Sequence, residues 1–253
     1  MLHVVPDDHI ALDDLTLHYQ PQISADGRSI VSVEALVRAR KPGPGRRTAA
    51  DILAHFATPE TSEALDWWVL RTAMTAALDW PSLVVGINVG ADRFRDPGFA
   101  ARTIALVEEI GVDPRRIELE IVEGSYIGDF DTAFANITAL RAHGLRIALD
   151  DFGTGFSSLT YLLKLPIDKV KIDKSFVDGV GSIQSAVIVQ AVVALARALG
   201  LKVTAEGVET EAQYQFLRVA GCHLIQGWLF AKALPAAEIS RLLSTGEIPR
   251  AAA

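Results

Sequence analysis

Short apolar runs recur along the chain, and most of them end on an acidic or amide residue. Glu34 follows Ile30-Val31-Ser32-Val33, and Asn88 follows Leu83-Val84-Val85-Gly86-Ile87. Glu120 lies in Ile117-Glu118-Leu119-Glu120-Ile121, and Asp150 and Asp151 follow Leu145-Arg146-Ile147-Ala148-Leu149. Lys171 and Asp173 close Val170-Lys171-Ile172-Asp173, and Glu206 follows Leu201-Lys202-Val203-Thr204-Ala205. Runs of this length predict buried strands. Between them the spacing turns helical. Leu65, Trp68, Val69, Thr72, Ala73 and Ala76 share one face over residues 63–79, and Ile183–Leu199 is strongly apolar up to Gly200. Further helices are predicted after the N-cap Thr48, from Pro97 to about Ile110, from Asp129 or Asp131 to Arg141, over Glu211–Val219, and from Pro235.

The first two strands differ from the rest. Leu15–Gln22 alternates apolar and polar, Ala25-Asp26-Gly27 supplies a turn, and Ile30–Val37 alternates again, which predicts an antiparallel pair. Six strand–helix units follow, so the count reaches about eight strands, the last near Leu224–Trp228. The predicted fold is α/β, with one barrel of typical size. Parallel strands bring their carboxyl ends to one rim, where the active sites of such folds sit. Five carboxylates at one rim resist ionising together, and divalent metal would relieve the repulsion. The pattern therefore points to a metal-dependent enzyme.

Composition narrows the partners. With 24 basic and 31 acidic residues the formal charge is −7, against broad binding to nucleic-acid polymers or anionic membranes. An anionic substrate would need local positive charge, from metal or from Lys171 and Arg38. The single cysteine, Cys222, follows Gly221 at a helix end and reads as a buried structural thiol; no intramolecular disulfide is available, which fits a cytoplasmic setting. No His-Glu-x-x-His spacing occurs among the six histidines. Residues 1–14 carry Asp7, Asp8, Asp13 and Asp14 without a long apolar stretch, so neither a signal peptide nor a membrane span is expected there. The expected organisation is an N-terminal extension over 1–14, a barrel over 15–245 and a C-terminal tail over 246–253, frayed from Pro249 to Ala253. Lys41–Arg47 reads as an exposed connection, with a basic flap over an anionic ligand as the sharper alternative.

Glu34-Ala35-Leu36-Val37-Arg38 resembles the signature of the EAL-domain family of cyclic di-GMP phosphodiesterases. The likeness continues through Tyr19-Gln20-Pro21, Asn88, Glu120-Ile121-Val122-Glu123, Asp150-Asp151-Phe152-Gly153-Thr154-Gly155-Phe156-Ser157-Ser158-Leu159, Lys171-Ile172-Asp173, Ala205-Glu206-Gly207-Val208-Glu209-Thr210 and Gln226-Gly227. It implies a modified TIM (β/α)8 barrel with an antiparallel first strand pair. It implies hydrolysis of cyclic di-GMP, a bacterial second messenger of biofilm and motility control, to linear 5′-pGpG. By resemblance, Glu34, Asn88, Glu120, Asp150, Asp151 and Glu206 form the site for two Mg2+ or Mn2+ ions, with Asp150 bridging and Ca2+ inhibiting. Glu34, Lys171 and Glu206 are the catalytic group, with Lys171 contacting the attacking water or the phosphate. Gln20, Leu36, Arg38, Asp173 and Gln226 match substrate-contacting positions, and Glu209 would hold the loop over 151–158. A homodimer through the helices after the fifth and sixth strands is also implied, as is fusion to, or regulation by, a sensory or GGDEF domain.

The chain departs from the family pattern at Gly90, Val122, Gly124, Trp228 and Ala233, where Ser, Thr, Ser, Tyr and Pro are usual, and no Ala-Glu-x-x-Gly segment is recognisable near Phe56–Ser62. None of these is an expected metal ligand. The rival reading is a catalytically inactive EAL-type receptor or interaction module. Such degenerate members typically lose metal ligands, and this chain keeps them all. Glu118, on the same strand face as Glu120, is expected to form an internal ion pair rather than join the site.

Overall fold

A computed structural model describes residues 10–40, 48–122, 129–153 and 162–250. Nine strands are described: β1 Leu15–Ser24, β2 Ile30–Ala39, β3 Val84–Val89, β4 Ile117–Val122, β5 Arg146–Phe152, β6 Lys169–Ile172, β7 Lys202–Ala205, β8 Leu224–Gln226 and the two-residue β9 Leu234–Pro235. The helices are α1 Ala49–His55, α2 Pro59–Ala77, α3 Phe99–Ile110, α4 Phe130–His143, α5 Lys174–Asp178, α6 Ile183–Ala198, α7 Glu211–Ala220 and α8 Ala236–Thr245.

Strands β2 to β8 run parallel in chain order, and β1 closes the ring by pairing antiparallel with both β2 and β8. Seven parallel strands and one reversed strand thus form a closed eight-strand barrel, as the opening hairpin predicts. The reversal sets Gln20 opposite Glu34 and Gln22 opposite Gln226. It therefore carries two amides into a ring otherwise built from parallel strand ends.

The two faces of the wall follow from strand alternation. On β4, Ile117, Leu119 and Ile121 point outward and are fully buried beneath helices, while Glu118 and Glu120 point inward. Val85 and Ile87, Ile147 and Leu149, and Val203 and Ala205 repeat the outward apolar pattern. The barrel interior is polar near its carboxyl-end rim.

Several boundaries differ from expectation for local reasons. Helix α2 starts at Pro59, not near residue 63, because Thr58 caps it by accepting from Thr61 N and proline suits the first turn. Helix α3 starts at Phe99: Asp96 accepts from Gly98 N at 2.8 Å, so Pro97 belongs to the turn before it. Asp129, not Asp131, caps α4. Both edges of the barrel are tied down. Ile10 is buried, and Arg250, expected to be frayed, bonds Glu211 and lies over the rings of Tyr214 and Phe230. The 41–47 connection, Glu123 and Gly124, and the loop from Thr154 to Leu159 fall outside the described residues.

Candidate active site

Glu34, Asn88, Glu120, Asp150, Lys171, Glu206 and Gln226 meet in one mouth of the barrel. Lys171, on β6, is fully buried at its centre. Its Nζ lies 2.5 Å from Glu120 Oε2, 2.7 Å from Glu206 Oε1, 3.0 Å from Asp150 Oδ2 and 3.4 Å from Glu34 Oε2. Two amides hold Glu34 from the other side: Asn88 Nδ2 donates to Oε1 at 2.7 Å and Gln226 Nε2 to Oε2 at 2.6 Å. Gln226 also donates to Gln20 Oε1 at 3.2 Å, and Gln20 donates to Ala231 O.

Asp150 and Asp151 are consecutive, so a regular strand would send them to opposite faces. The ladder between β5 and β6 breaks register between Leu149 and Phe152, and Asp151 adopts φ 53°. It is the only non-glycine among the described residues in that left-handed region, which a substituted residue occupies at a cost of roughly 1–3 kcal/mol. This local irregularity brings both carboxylates to one site, as bulges beside active sites commonly do.

The electrostatics are unbalanced. One ammonium faces four carboxylates. Burial works to raise Glu34, but Lys171 and the Gln226 and Asn88 hydrogen bonds outweigh it and hold this carboxyl below its usual range. Burial wins at the other positions. It pushes Glu120 well above the carboxylate range, raises Asp150 with help from the Glu34 charge, and lifts Glu206 to about 8. Half-buried Asp151 rises to about 6, through burial and then the neighbouring Asp150 charge. Burial alone would lower Lys171, yet the surrounding carboxylates hold it well above the usual lysine value.

These residues fit divalent cations. Oxygens of Glu34, Glu120 and Asp150 lie within 4.8 Å of one another, as do those of Asp150, Asp151 and Glu206. Asp150 belongs to both groups, which is the arrangement of a bridging ligand. Glu120 Oε1 is buried without a hydrogen-bond donor among the described residues, and Glu206 Oε1 meets the ammonium without hydrogen-bond geometry. Buried carboxyl oxygens without hydrogen-bond partners are costly, and a hard cation would satisfy them. An all-oxygen donor set suits magnesium, manganese or calcium rather than zinc.

The cluster opens to two cavities that share Leu36. One, of about 300 Å3, is bordered by Gln20, Glu34, Glu206, Glu209, Gln226 and Trp228. The other, of about 400 Å3, is bordered by Arg38, Asp66, Asn88 and Gly90. Burial pushes the Asp66 carboxyl up to about 7. Arg38 is half-buried, donates to its neighbour Val37 O at 2.7 Å, and feels the Glu34 charge.

Two expected site residues also make contacts of their own here. Asp173 caps α5, accepting from Ser175 N at 3.0 Å. Exposed Glu209 pairs with Lys174 at 2.8 Å, and Lys174 also borders the smaller cavity. Glu118 forms the expected internal pair: Lys169 Nζ donates to it at 2.6 Å, with both side chains buried. Cys222 is buried, and burial lifts its thiol to about 12.

Sequence reading missed Gln22 and Gly86. Gln22 receives Ser32 Oγ at 2.6 Å and donates to Gln226 Oε1 at 2.8 Å, so it orients the amide that holds Glu34. The β1 alternation sets it in phase with Gln20, which was the available signal. A Cβ at Gly86 would collide with the Glu120 carboxylate, so glycine there makes room for it.

A closed barrel with a reversed first strand and a carboxylate–lysine cluster at its carboxyl mouth defines a hydrolase-like site of the divalent-metal class. The sequence pattern of the EAL domain matches residues 7–233, and the chain belongs to the EAL domain family. It is 38% identical over 240 residues to an uncharacterized signaling protein of Caulobacter vibrioides, covering 94% of this chain and 30% of that one. It is 35% identical to the bifunctional diguanylate cyclase/cyclic di-GMP phosphodiesterase MucR of Pseudomonas aeruginosa, over 89% of this chain and 34% of MucR. Among solved structures, the PaMucR phosphodiesterase in complex with c-di-GMP superposes with TM-score 0.82 at 35% identity, covering 90% of this chain and 94% of that one. The manganese/c-di-GMP complex of Klebsiella pneumoniae BlrP1 gives 0.77 at 27% identity, with 90% and 58% covered. The chain spans about a third of the length of these two curated relatives. No helix among the described residues is long and apolar enough to cross a membrane.

Proposed function

We propose that the chain is a metal-dependent phosphodiesterase that hydrolyses cyclic di-GMP to 5′-pGpG. The observation that carries this reading is the excess of buried carboxylates around Lys171, divided into two oxygen groups that share Asp150. Glu34, Asn88, Glu120, Asp150, Asp151 and Glu206 are the residues that would hold two Mg2+ or Mn2+ ions. Bound there, the ions would supply the charge that activates water and steadies the phosphoryl oxygens.

The chain's own groups do the rest. Lys171 keeps its proton and sets a fixed positive charge among the carboxylates, where negative charge on the phosphoryl group would build. Gln226 and Asn88 fix the Glu34 carboxylate between two donors, and Gln22 and Gln20 fix Gln226 in turn. Attack by water forms one P–O bond and breaks the bond to the 3′ oxygen, which takes up a proton as it leaves. The two cavities that meet at Leu36 offer room for a ligand with two purines, and Arg38 borders the larger one.

Calcium is expected to occupy the site with little turnover, because it is larger and less strict in geometry. Cytoplasmic location, a barrel unit over 15–245, and regulation by or fusion to a GGDEF or sensory domain belong to the same reading. So does a homodimer. Ile183, Val187 and Ile188 on α6 are 83%, 57% and 41% exposed, an apolar face on the helix after β6. Sedimentation across a dilution series tests that part, and a monomer at every concentration would contradict it.

The main test is incubation with cyclic di-GMP and magnesium, followed by chromatography. The reading predicts 5′-pGpG, and none in EDTA. Tight binding without product would favour the receptor reading.

A further inference from the structure

Beneath the acidic cluster, two amides stand in line between a group that can only donate and a group that can only accept. At the lower end, Lys169 Nζ lies 3.4 Å from Gln22 Oε1, and Ser32 Oγ donates to the same oxygen at 2.6 Å. Gln22 Nε2 then donates to Gln226 Oε1 at 2.8 Å. At the upper end, Gln226 Nε2 donates to Glu34 Oε2 at 2.6 Å and to Gln20 Oε1 at 3.2 Å. Gln22, Ser32, Glu34, Lys169 and Gln226 are all buried, so solvent does not relieve a mismatched pair among them.

The direction of the line matters more than its length. An amide can turn either its oxygen or its NH2 group to a neighbour, and a hydroxyl can donate or accept. Ser32 by itself therefore leaves the Gln22 orientation open. An ammonium has no lone pair, so Lys169 requires the Gln22 oxygen to face it. That turns the Gln22 NH2 group to the Gln226 oxygen, and the Gln226 NH2 group to the Glu34 carboxylate. An ionised carboxylate only accepts, so both ends of the line demand the same orientation of both amides. We infer that Lys169 is a positioning residue for the proposed metal ligand Glu34, acting through Gln22 and Gln226. It decides which end of the Gln226 amide meets the carboxylate, while Glu118 balances its charge at 2.6 Å. The inference rests on the two-ion reading and adds to it a determinant of ligand orientation one layer below the site.

The test is manganese binding to the full chain by calorimetry, beside thermal unfolding in EDTA. Gln22→Glu is close to isosteric but has no NH2 group, and its carboxylate takes the Ser32 and Lys169 donors. The Gln226 NH2 group then faces either the new carboxylate or Glu34, and an oxygen–oxygen contact is left at the other. Gln22→Met removes the polar atoms and makes no opposing demand. Manganese affinity should fall about ten- to a hundredfold in Gln22→Glu and by less in Gln22→Met. Lys169→Met combined with Glu118→Leu removes the ion pair as a unit and should weaken manganese binding severalfold, because the line loses its lower anchor. A merely structural role would lower the unfolding temperature and leave the manganese affinity of the folded protein unchanged. Wild-type affinity in Gln22→Glu would overturn the inference, and so would a greater loss in Gln22→Met. Should Gln22→Glu fail to fold, the double variant decides, and wild-type affinity there overturns the inference. If wild type itself binds no manganese, the two-ion reading falls as well. Binding by wild type with unchanged affinity in the variants leaves that reading standing and removes only the role of Lys169.

Discussion

Strands β4 and β6 carry two buried lysine–glutamate pairs, two residues apart, and the pairs are built to opposite ends. In the lower layer Lys169 meets Glu118 at 2.6 Å, and Gln22 Oε1 lies 3.4 Å from the same ammonium. One cation faces one anion, and both side chains are buried. In the upper layer Lys171 meets Glu120 at 2.5 Å, but Glu34, Asp150 and Glu206 crowd the same ammonium, for a formal excess of three negative charges if all ionise. The same residue types on the same strands thus give a closed ion pair below and an unsatisfied anionic cup above. Charge balance, rather than residue identity, separates the structural pair from the functional one.

The comparison is broken most severely by removing one carboxylate from each layer. Asp150→Ala or Glu34→Ala should lower turnover by about a thousandfold or more, because each removes a proposed cation ligand and charge-organising group. The metal-free fold should hold, since the cup loses an excess charge. Glu118→Ala should do the reverse. It strands a buried ammonium and should cost about 3–5 kcal/mol of stability, read from urea unfolding, while the folded fraction keeps its rate constant. Equal effects of the two substitutions on stability would erase the distinction between the layers.

Removing the upper lysine is the next largest change. Lys171→Ala should reduce the rate constant by about a hundred- to a thousandfold with a much smaller change in substrate affinity, as expected for a group that acts on developing charge. Calorimetry showing lost affinity with a normal rate at saturation would contradict that role.

The pH dependence of the metal-free protein sharpens the same point. Glu206 is lifted from a reference of 4.5 to about 8, chiefly by burial, so between those values the folded state binds more protons than the unfolded one. Stability from this group is fully present below the unfolded pKa and is lost as pH rises through the folded one. The unfolding temperature in EDTA should therefore fall from about pH 5 to pH 8. Glu120 and Asp150 are shifted the same way. Saturating magnesium should flatten the slope, because ions bound to the carboxylates replace the protons. A slope unaffected by magnesium would mean that the cup is not where the ion binds.

The smallest effect is expected at Glu209. Its contact with Lys174 is between side chains 42% and 44% exposed, so Glu209→Ala should change stability by no more than about 1 kcal/mol. Activity should fall about tenfold at most, through the wall of the smaller cavity. Unchanged unfolding together with lost metal binding would favour the loop-holding role that the family resemblance implies.

The upper layer was legible in the sequence because its residues end apolar runs, and strand ends in an α/β barrel converge. The antiparallel opening strand was legible from its turn and alternation. Less visible was everything set by approach rather than by type. Gly86 looks like a strand defect until the Glu120 carboxylate is found above it. Gln22 looks like a surface position in an alternating hairpin until β1 closes against β8 and buries it. Adjacent Asp150 and Asp151 can serve one site only through the left-handed turn at Asp151, and nothing in the pair of letters specifies a backbone break. The Thr58-Pro59 start of α2 was readable, but it was masked by the weaker apolar periodicity of its first turn.

The central claim is that the upper cup is a two-ion site and the lower pair is not. Titration of manganese into the metal-free protein by calorimetry, with wild type, Asp150→Ala and Glu118→Gln side by side, tests it most directly. The account predicts two ions per chain for wild type and for folded Glu118→Gln, and loss of binding in Asp150→Ala, the residue common to both oxygen groups. Undiminished binding in Asp150→Ala, or no binding by wild type, would contradict it.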